Sequence, residues 1–171
     1  QRNSLLEIIT ETVNDIFVPI TVGGGIRSLQ DINDVLRAGA DKVSINTHAI
    51  KNPKFIEEAS KSFGSSTIVL AIEAIKQDKN SYLAYTDNGR EFTGTEVVSW
   101  AKRAEDLGAG EILLTSIDSE GTGRGPDFNL IHSVSNSVSI PVIAHGGFSN
   151  IDHIINLICS AKADAVALSS I

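Results

Sequence analysis

One segment of this chain is written twice, and that duplication limits the fold more than any other feature. Val18-Pro19-Ile20-Thr21-Val22-Gly23-Gly24-Gly25-Ile26 aligns with Ile140-Pro141-Val142-Ile143-Ala144-His145-Gly146-Gly147-Phe148. The match runs on through Ile32 and Ile154. After one inserted residue it continues through Ala40-Asp41 and Ala163-Asp164, and it ends at Asn46-Thr47 against Ser169-Ser170. Each copy, 18–47 and 140–170, reads as a strand, a Gly-Gly turn, a helix, a strand and a pair of small polar residues. Copies about 122 positions apart are too distant for adjacent turns of a solenoid. They fit a duplicated half-barrel.

The rest of the chain keeps the same alternation. Apolar periodicity predicts helices over 5–16, 29–37, 53–61, 95–107, 128–136 and 151–160. Short β-branched runs predict strands over 18–22, 42–45, 67–72, 111–116, 140–144 and 165–168. Residues 82–86 and 90–93, joined by Asp87-Asn88-Gly89, read as a hairpin, and 117–127 is a long Gly-rich loop. Apolar strands alternating with amphipathic helices mean a parallel sheet covered by helices. The informative polar residues fall just after strands, the end that carries the site in barrels and open α/β sheets alike.

The duplicated turn has a chemical reading. Glycines at a strand end let backbone N–H groups approach an anion closely, and a helix N-terminus nearby favours negative charge. A lone Gly-Gly turn reads as simple chain reversal. Two copies, each followed by a small polar pair, point to two phosphate sites facing each other across one barrel mouth. Gly24, Gly25, Asn46 and Thr47 form one group. Gly146, Gly147, Ser169 and Ser170 form the other.

Glu73 directly follows an apolar strand. A strand-end carboxylate partly shielded from water suits general acid/base work, although it also suits capping the next turn or pairing with Lys42. Asp118 and Glu120 lie in the Gly-rich loop beside Gly121 and Thr122. There the loop N–H groups would hold a phosphate while one carboxylate is oriented for chemistry, or the segment is an Asx-turn. Lys42 and Glu111 begin strands and should lie at the opposite end of the sheet. His132 and His153 fall on predicted helices and read as surface residues. His145 stands where the first copy has Gly23, at the mouth, with substrate contact and packing both open. Trp100 and Phe63 read as core or inter-helix residues.

Composition narrows the function classes. The 171 residues carry a formal charge of −7, with 42% hydrophobic and 5% aromatic residues. An acidic balance argues against a general nucleic-acid or anionic-membrane binder, and so few aromatics argue against a base-stacking surface. The single cysteine, Cys159, excludes an internal disulfide and a Cys-rich zinc site, and the histidines show no metal spacing. No metal or cofactor is expected. No apolar run approaches the ~18 residues of a membrane span and no signal peptide is read, so a reducing cytoplasmic setting is expected.

Several longer runs bring a family into view. Val22-Gly23-Gly24-Gly25-Ile26-Arg27, Gly39-Ala40-Asp41-Lys42-Val43-Ser44-Ile45-Asn46-Thr47, Phe63-Gly64-Ser65 and Gly108-Ala109-Gly110-Glu111-Ile112-Leu113-Leu114-Thr115-Ser116-Ile117-Asp118 closely resemble the cyclase subunit of imidazole glycerol phosphate synthase, over essentially the whole chain. The resemblance implies a (β/α)8 barrel of the ribulose-phosphate-binding type, built from two half-barrels. It implies a bisphosphorylated ribulosyl aminoimidazole carboxamide ribotide as substrate, converted with ammonia into imidazole glycerol phosphate and AICAR. The ammonia would come from a glutaminase (amidotransferase) subunit docked at the N-terminal barrel face and would pass along the barrel axis. Glu73 falls at one of the family's two catalytic aspartates. Gly24, Gly25, Asn46 and Thr47 fall at one phosphate site; Glu120, Gly121, Thr122, Gly146, Gly147, Ser169 and Ser170 fall at the other. Lys42 and Glu111 fall in the charged gate where ammonia enters.

Three departures accompany the resemblance. Glu73 and Glu120 each stand where the family has Asp, and His145 replaces a small residue. Six strands are read where a barrel has eight, so residues 1–171 are expected to form one partial barrel domain. In that reading strands 3–8 are present, the first two strands and the last helix are absent, and the chain alone is inactive. Two alternatives stay open. One is a cyclase-like paralogue serving an amidotransferase in surface-sugar amidination. The other is a non-catalytic phosphate-binding barrel or scaffold.

Overall fold

The computed structural model describes residues 2–79 and 81–169. Helix α1 (Arg2–Asp15) leads to a run in which Phe17 and Val18 are exposed, and the first strand, β1 (Thr21–Gly23), starts three residues later than the β-branched run suggests. The chain continues through α2 (Leu29–Arg37), β2 (Lys42–Ile45), α3 (Thr47–Lys51), α4 (Lys54–Phe63) and β3 (Ile68–Asp78). A hairpin of β4 (Ser81–Thr86) and β5 (Glu91–Glu96) follows. Then come α5 (Val97–Asp106), β6 (Glu111–Ser116), α6 (Phe128–Ser135), β7 (Val142–His145), α7 (Ile151–Ser160) and β8 (Ala165–Ala167).

Eight strands form one sheet whose main path is β1-β2-β3-β6-β7-β8, parallel throughout. The hairpin is an antiparallel branch from β3, with Glu73 opposite Tyr85 and Ile75 opposite Leu83. The expected end of the third strand at Glu73 is therefore a correction. Pairing with β4 carries β3 on to Asp78, and Glu73 sits within the strand. Helix α3 is a second difference: Asn46-Thr47 do not simply end β2 but open a short helix directly.

Period-two alternation along β3 separates two surfaces. Ile68, Leu70, Ile72 and Ala74 are buried against the helical layer with Ile56, Ala101 and Ala104, while Ala71 and Glu73 line a cavity on the other side. The fully buried Ile112 and Leu114 of β6, and Leu130, Ile131 and Leu157 of α6 and α7, extend the same core. Each such side chain contributes about 1.5–3 kcal/mol through removal from water.

The two copies of the duplicated segment use the same bonds. Ser28 caps α2 by accepting from Asp31 N, and Asn150 caps α7 by accepting from His153 N. Asp41 Oδ2 accepts from Ile20 N at 2.8 Å, and Asp164 Oδ2 accepts from Val142 N at 2.9 Å. Each carboxylate thereby ties the turn after a helix to the start of the preceding strand. Both Gly-Gly turns take positive φ, 100° and 70° at Gly24 and Gly25 and 99° and 90° at Gly146 and Gly147. Their surroundings differ. A Cβ on Gly24 would meet nothing within 4 Å, whereas one on Gly147 would lie 2.2 Å from Gly125 O.

Candidate active site at the carboxyl ends of the strands

The strands present their carboxyl ends to two cavities. The larger, about 920 Å³, is lined by Gly24, Gly25, Asn46, Thr47 and Glu73, together with Ser44 and the hairpin-tip residues Asp87 and Asn88. It gathers one whole set of sequence-selected phosphate residues with the candidate acid/base. The smaller, about 210 Å³, is lined by Glu120, Gly121, Gly146, Gly147 and Ser169, with His145 and Phe148. Ser170 lies outside the described residues.

Strand register fixes how the cavities relate. Glu73 of β3 pairs with Thr115 of β6, which pairs with His145 of β7. One row across the sheet thus carries a carboxylate, a hydroxyl and an imidazole. Thr115 is buried, and its Oγ1 lies 3.2 Å from His145 Nδ1.

Glu73 is half-buried, and its Oε2 accepts a 2.9 Å hydrogen bond from Gly89 N at the hairpin tip. This excludes the pairing with Lys42 that the sequence left open. The tip is itself fastened. Lys51 of α3 binds Glu91 at 3.2 Å, and Thr86 donates to the same carboxylate oxygen. These two contacts hold the Glu91 carboxyl below the usual carboxylate range. The hairpin was legible in the sequence, but its contact with Glu73 was not, because nothing in a β-turn motif says what its tip touches.

The Gly-rich loop departs from expectation. Asp118 faces away from chemistry: its Oδ2 accepts from Lys76 N at 2.8 Å and anchors the loop to β3. Thr122 is not among the residues lining the smaller cavity; its hydroxyl donates to Ser119 O at 2.7 Å and shapes the turn. His153 is half-buried rather than a surface residue, and its Nδ1 accepts from Ser149 N at 3.4 Å.

At the far end of the strands Lys42 and Glu111 form an ion pair across β3, both partly buried. Glu111 shares register with Val69, four residues from Glu73, so the pair lies about 13 Å along the strand from that carboxylate. Among the described residues no group of three or more His, Cys, Asp or Glu is placed to hold a metal ion, and no helix is long and apolar enough to cross a membrane.

The sequence model of the histidine biosynthesis protein family matches residues 1–171. The chain belongs to this family. It is 48% identical over 170 residues to the imidazole glycerol phosphate synthase subunit HisF of Bacillus cereus, covering 99% of this chain and 68% of that protein. It is 48% identical over 172 residues to the HisF of Prochlorococcus marinus subsp. pastoris, with the same coverage. This family is one of TIM barrels, and the parallel path β1-β2-β3-β6-β7-β8 is a curled part of such a barrel.

Proposed function

We propose that this chain is the cyclase subunit of an imidazole glycerol phosphate synthase. It uses ammonia to convert a bisphosphorylated ribulosyl aminoimidazole carboxamide ribotide into imidazole glycerol phosphate and AICAR, within histidine biosynthesis in the cytoplasm. The observation that carries the reading is the convergence at one end of the sheet. Two Gly-Gly turns with positive φ open into two cavities, and a half-buried carboxylate lies between them in register. A substrate with a phosphate at each end needs two anion sites on either side of its reacting centre. Backbone N–H groups of Gly24-Gly25 and Gly146-Gly147 hold the phosphates without a basic surface, which suits a chain of charge −7.

Glu73 is the group placed to move a proton. One carboxylate oxygen is fixed by Gly89 N, which leaves the other to give or take a proton at the substrate as ammonia adds and the ring closes. Its extra methylene relative to Asp shifts the carboxylate by about 1 Å, a displacement that costs about 10²-fold unless the site compensates. The hairpin tip gripping Glu73 is such a compensation. Ammonia enters from a glutaminase partner at the opposite face, where the Lys42–Glu111 pair stands at the strand starts. A charged pair at the strand starts suits a gate there.

The experiment is turnover by the full-length protein with ammonium salts and the bisphosphorylated substrate. Formation of the imidazole product supports the assignment. Phosphate binding without product, in both the natural protein and Glu73→Asp, overturns it in favour of a non-catalytic barrel.

A further inference from the structure

The duplicated segment places an imidazole where its other copy has no side chain at all: His145 stands against Gly23. The cavity it lines is also lined by Gly121, Gly146, Gly147 and Ser169, and its one acidic side chain is Glu120. Glu120 sets a negative charge beside the anion, and a cationic or strongly donating group across the cavity offsets it.

The ring's orientation is set from behind. Nδ1 faces Thr115 Oγ1 at 3.2 Å. Thr115 is buried, and among the described residues its hydroxyl has no acceptor besides this ring nitrogen. With the hydroxyl assigned as the donor to Nδ1, the hydrogen of the neutral ring is on Nε2. Nε2 has no hydrogen-bond partner among the described residues. Thr115 is not one of the residues lining the cavity, so the ring edge turned away from it is the edge left to line the cavity.

We propose that His145 is a substrate-contacting, specificity-determining residue, whose Nε2–H donates to the phosphate ester held by the turn at Gly146-Gly147. This rests on the anion-site reading above and adds a side-chain donor to a site otherwise made of backbone. The tautomer Thr115 imposes makes His145 a donor rather than a general base. The site accordingly prefers a tetrahedral anion with an oxygen free to meet that donor.

The test uses the full-length protein with ¹⁵N-labelled histidine and backbone, titrated with inorganic phosphate. The ring signals are expected to show the Nε2–H form before addition. Phosphate then shifts Nε2 together with the amides of Gly146 and Gly147. In steady state, His145→Ser raises KM for the bisphosphate about tenfold to hundredfold, the range for a hydrogen bond to a charged group, while kcat changes far less. His145→Gln, which restores an N–H donor and keeps the ring's bulk better than Ser, recovers part of the loss and stands in if His145→Ser fails to fold. Shifts at both glycine amides with a silent His145, or an unchanged KM in both variants, overturn the proposal and leave the anion site standing. Silent glycine amides overturn the anion-site reading itself and the proposal with it.

Discussion

Gly89→Ala tests the link between the hairpin and Glu73. Gly89 has φ of 76°, and an added Cβ would lie 3.0 Å from Ile117 Cγ2 and 3.3 Å from Cγ1. An L-residue in the left-handed region loses about 1–2 kcal/mol, and the ends of the Ile117 side chain must give by a few tenths of an ångström. The larger effect is on the site. Tilting the tip draws Gly89 N away from Glu73 Oε2, now 2.9 Å distant. A carboxylate released by about 1 Å lowers kcat about 10²-fold. Gly94→Ala is the control. Gly94 lies in the bulge of β5 with φ of 71°, and an added Cβ would meet only Phe92, at 3.6 Å. It bears the same backbone cost without touching Glu73. Urea unfolding and ammonium-driven turnover, measured on both variants, separate the effects. Equal loss of kcat in the two, or full kcat in Gly89→Ala, refutes a positioning role for the tip.

Gly147→Ala forces a Cβ to 2.2 Å from Gly125 O and 3.0 Å from Ser119 Cβ, and thermal melting should show a loss above the ~1–2 kcal/mol that Gly24→Ala incurs from backbone conformation alone. Lys42→Ala leaves Glu111 partly buried without its lysine. A double-mutant cycle with Glu111→Ala, read by chemical denaturation, should return a coupling of about 0.5 kcal/mol or more; zero coupling removes the pair as a structural unit. Glu96 caps α5 by accepting from Val98 N and Ser99 N at 2.9 and 2.7 Å. Burial pushes its carboxyl up, but the two backbone N–H bonds outweigh that and hold it below its ordinary value. A lowered folded-state value means stability present above the ordinary carboxylate range and lost as pH falls through the lowered one. Glu96→Gln should therefore cost about 1 kcal/mol at neutral pH and progressively less in acid, as followed by thermal melts across pH.

Local pattern alone was enough for α2, β2, β6 and α7, whose bounds in the structure match the sequence reading residue for residue. Each has an unambiguous start and stop: Ser28 or Asn150 as cap, glycine or a charged residue at the edges. The reading lost accuracy where tertiary pairing extends an element. A carboxylate after five apolar residues looks like a strand end, and it is the antiparallel partner β4 that carries β3 past Glu73 to Asp78. The site shows the same division. Both Gly-Gly turns were singled out because each follows a strand directly, and Glu73 because an apolar run precedes it. For Asp118 and Thr122 the sequence left two readings, because a Gly-rich loop folds on its own hydrogen bonds and sequence does not say which hydroxyl or carboxylate is consumed internally. The Gly89–Glu73 bond joins residues 16 positions apart, one in β3 and one at the tip of the β4-β5 hairpin.

The antiparallel branch also bears on the order in which the chain can assemble. Most parallel pairings join residues 21 to 30 positions apart, but β3 and β6 meet through Val69 and Glu111, 42 positions apart. The extra length is the hairpin. Folded first, on the microsecond scale of isolated hairpins, it brings Ile75, Leu83 and Glu96 together and removes about half of the span still to be closed. Halving a flexible loop lowers its closure entropy by about 0.6 kcal/mol, which corresponds to roughly a threefold faster approach of β6 to β3. The element that grips Glu73 in the finished protein is thus also a kinetic shortcut, one that sets the central strand pair before the outer strands dock.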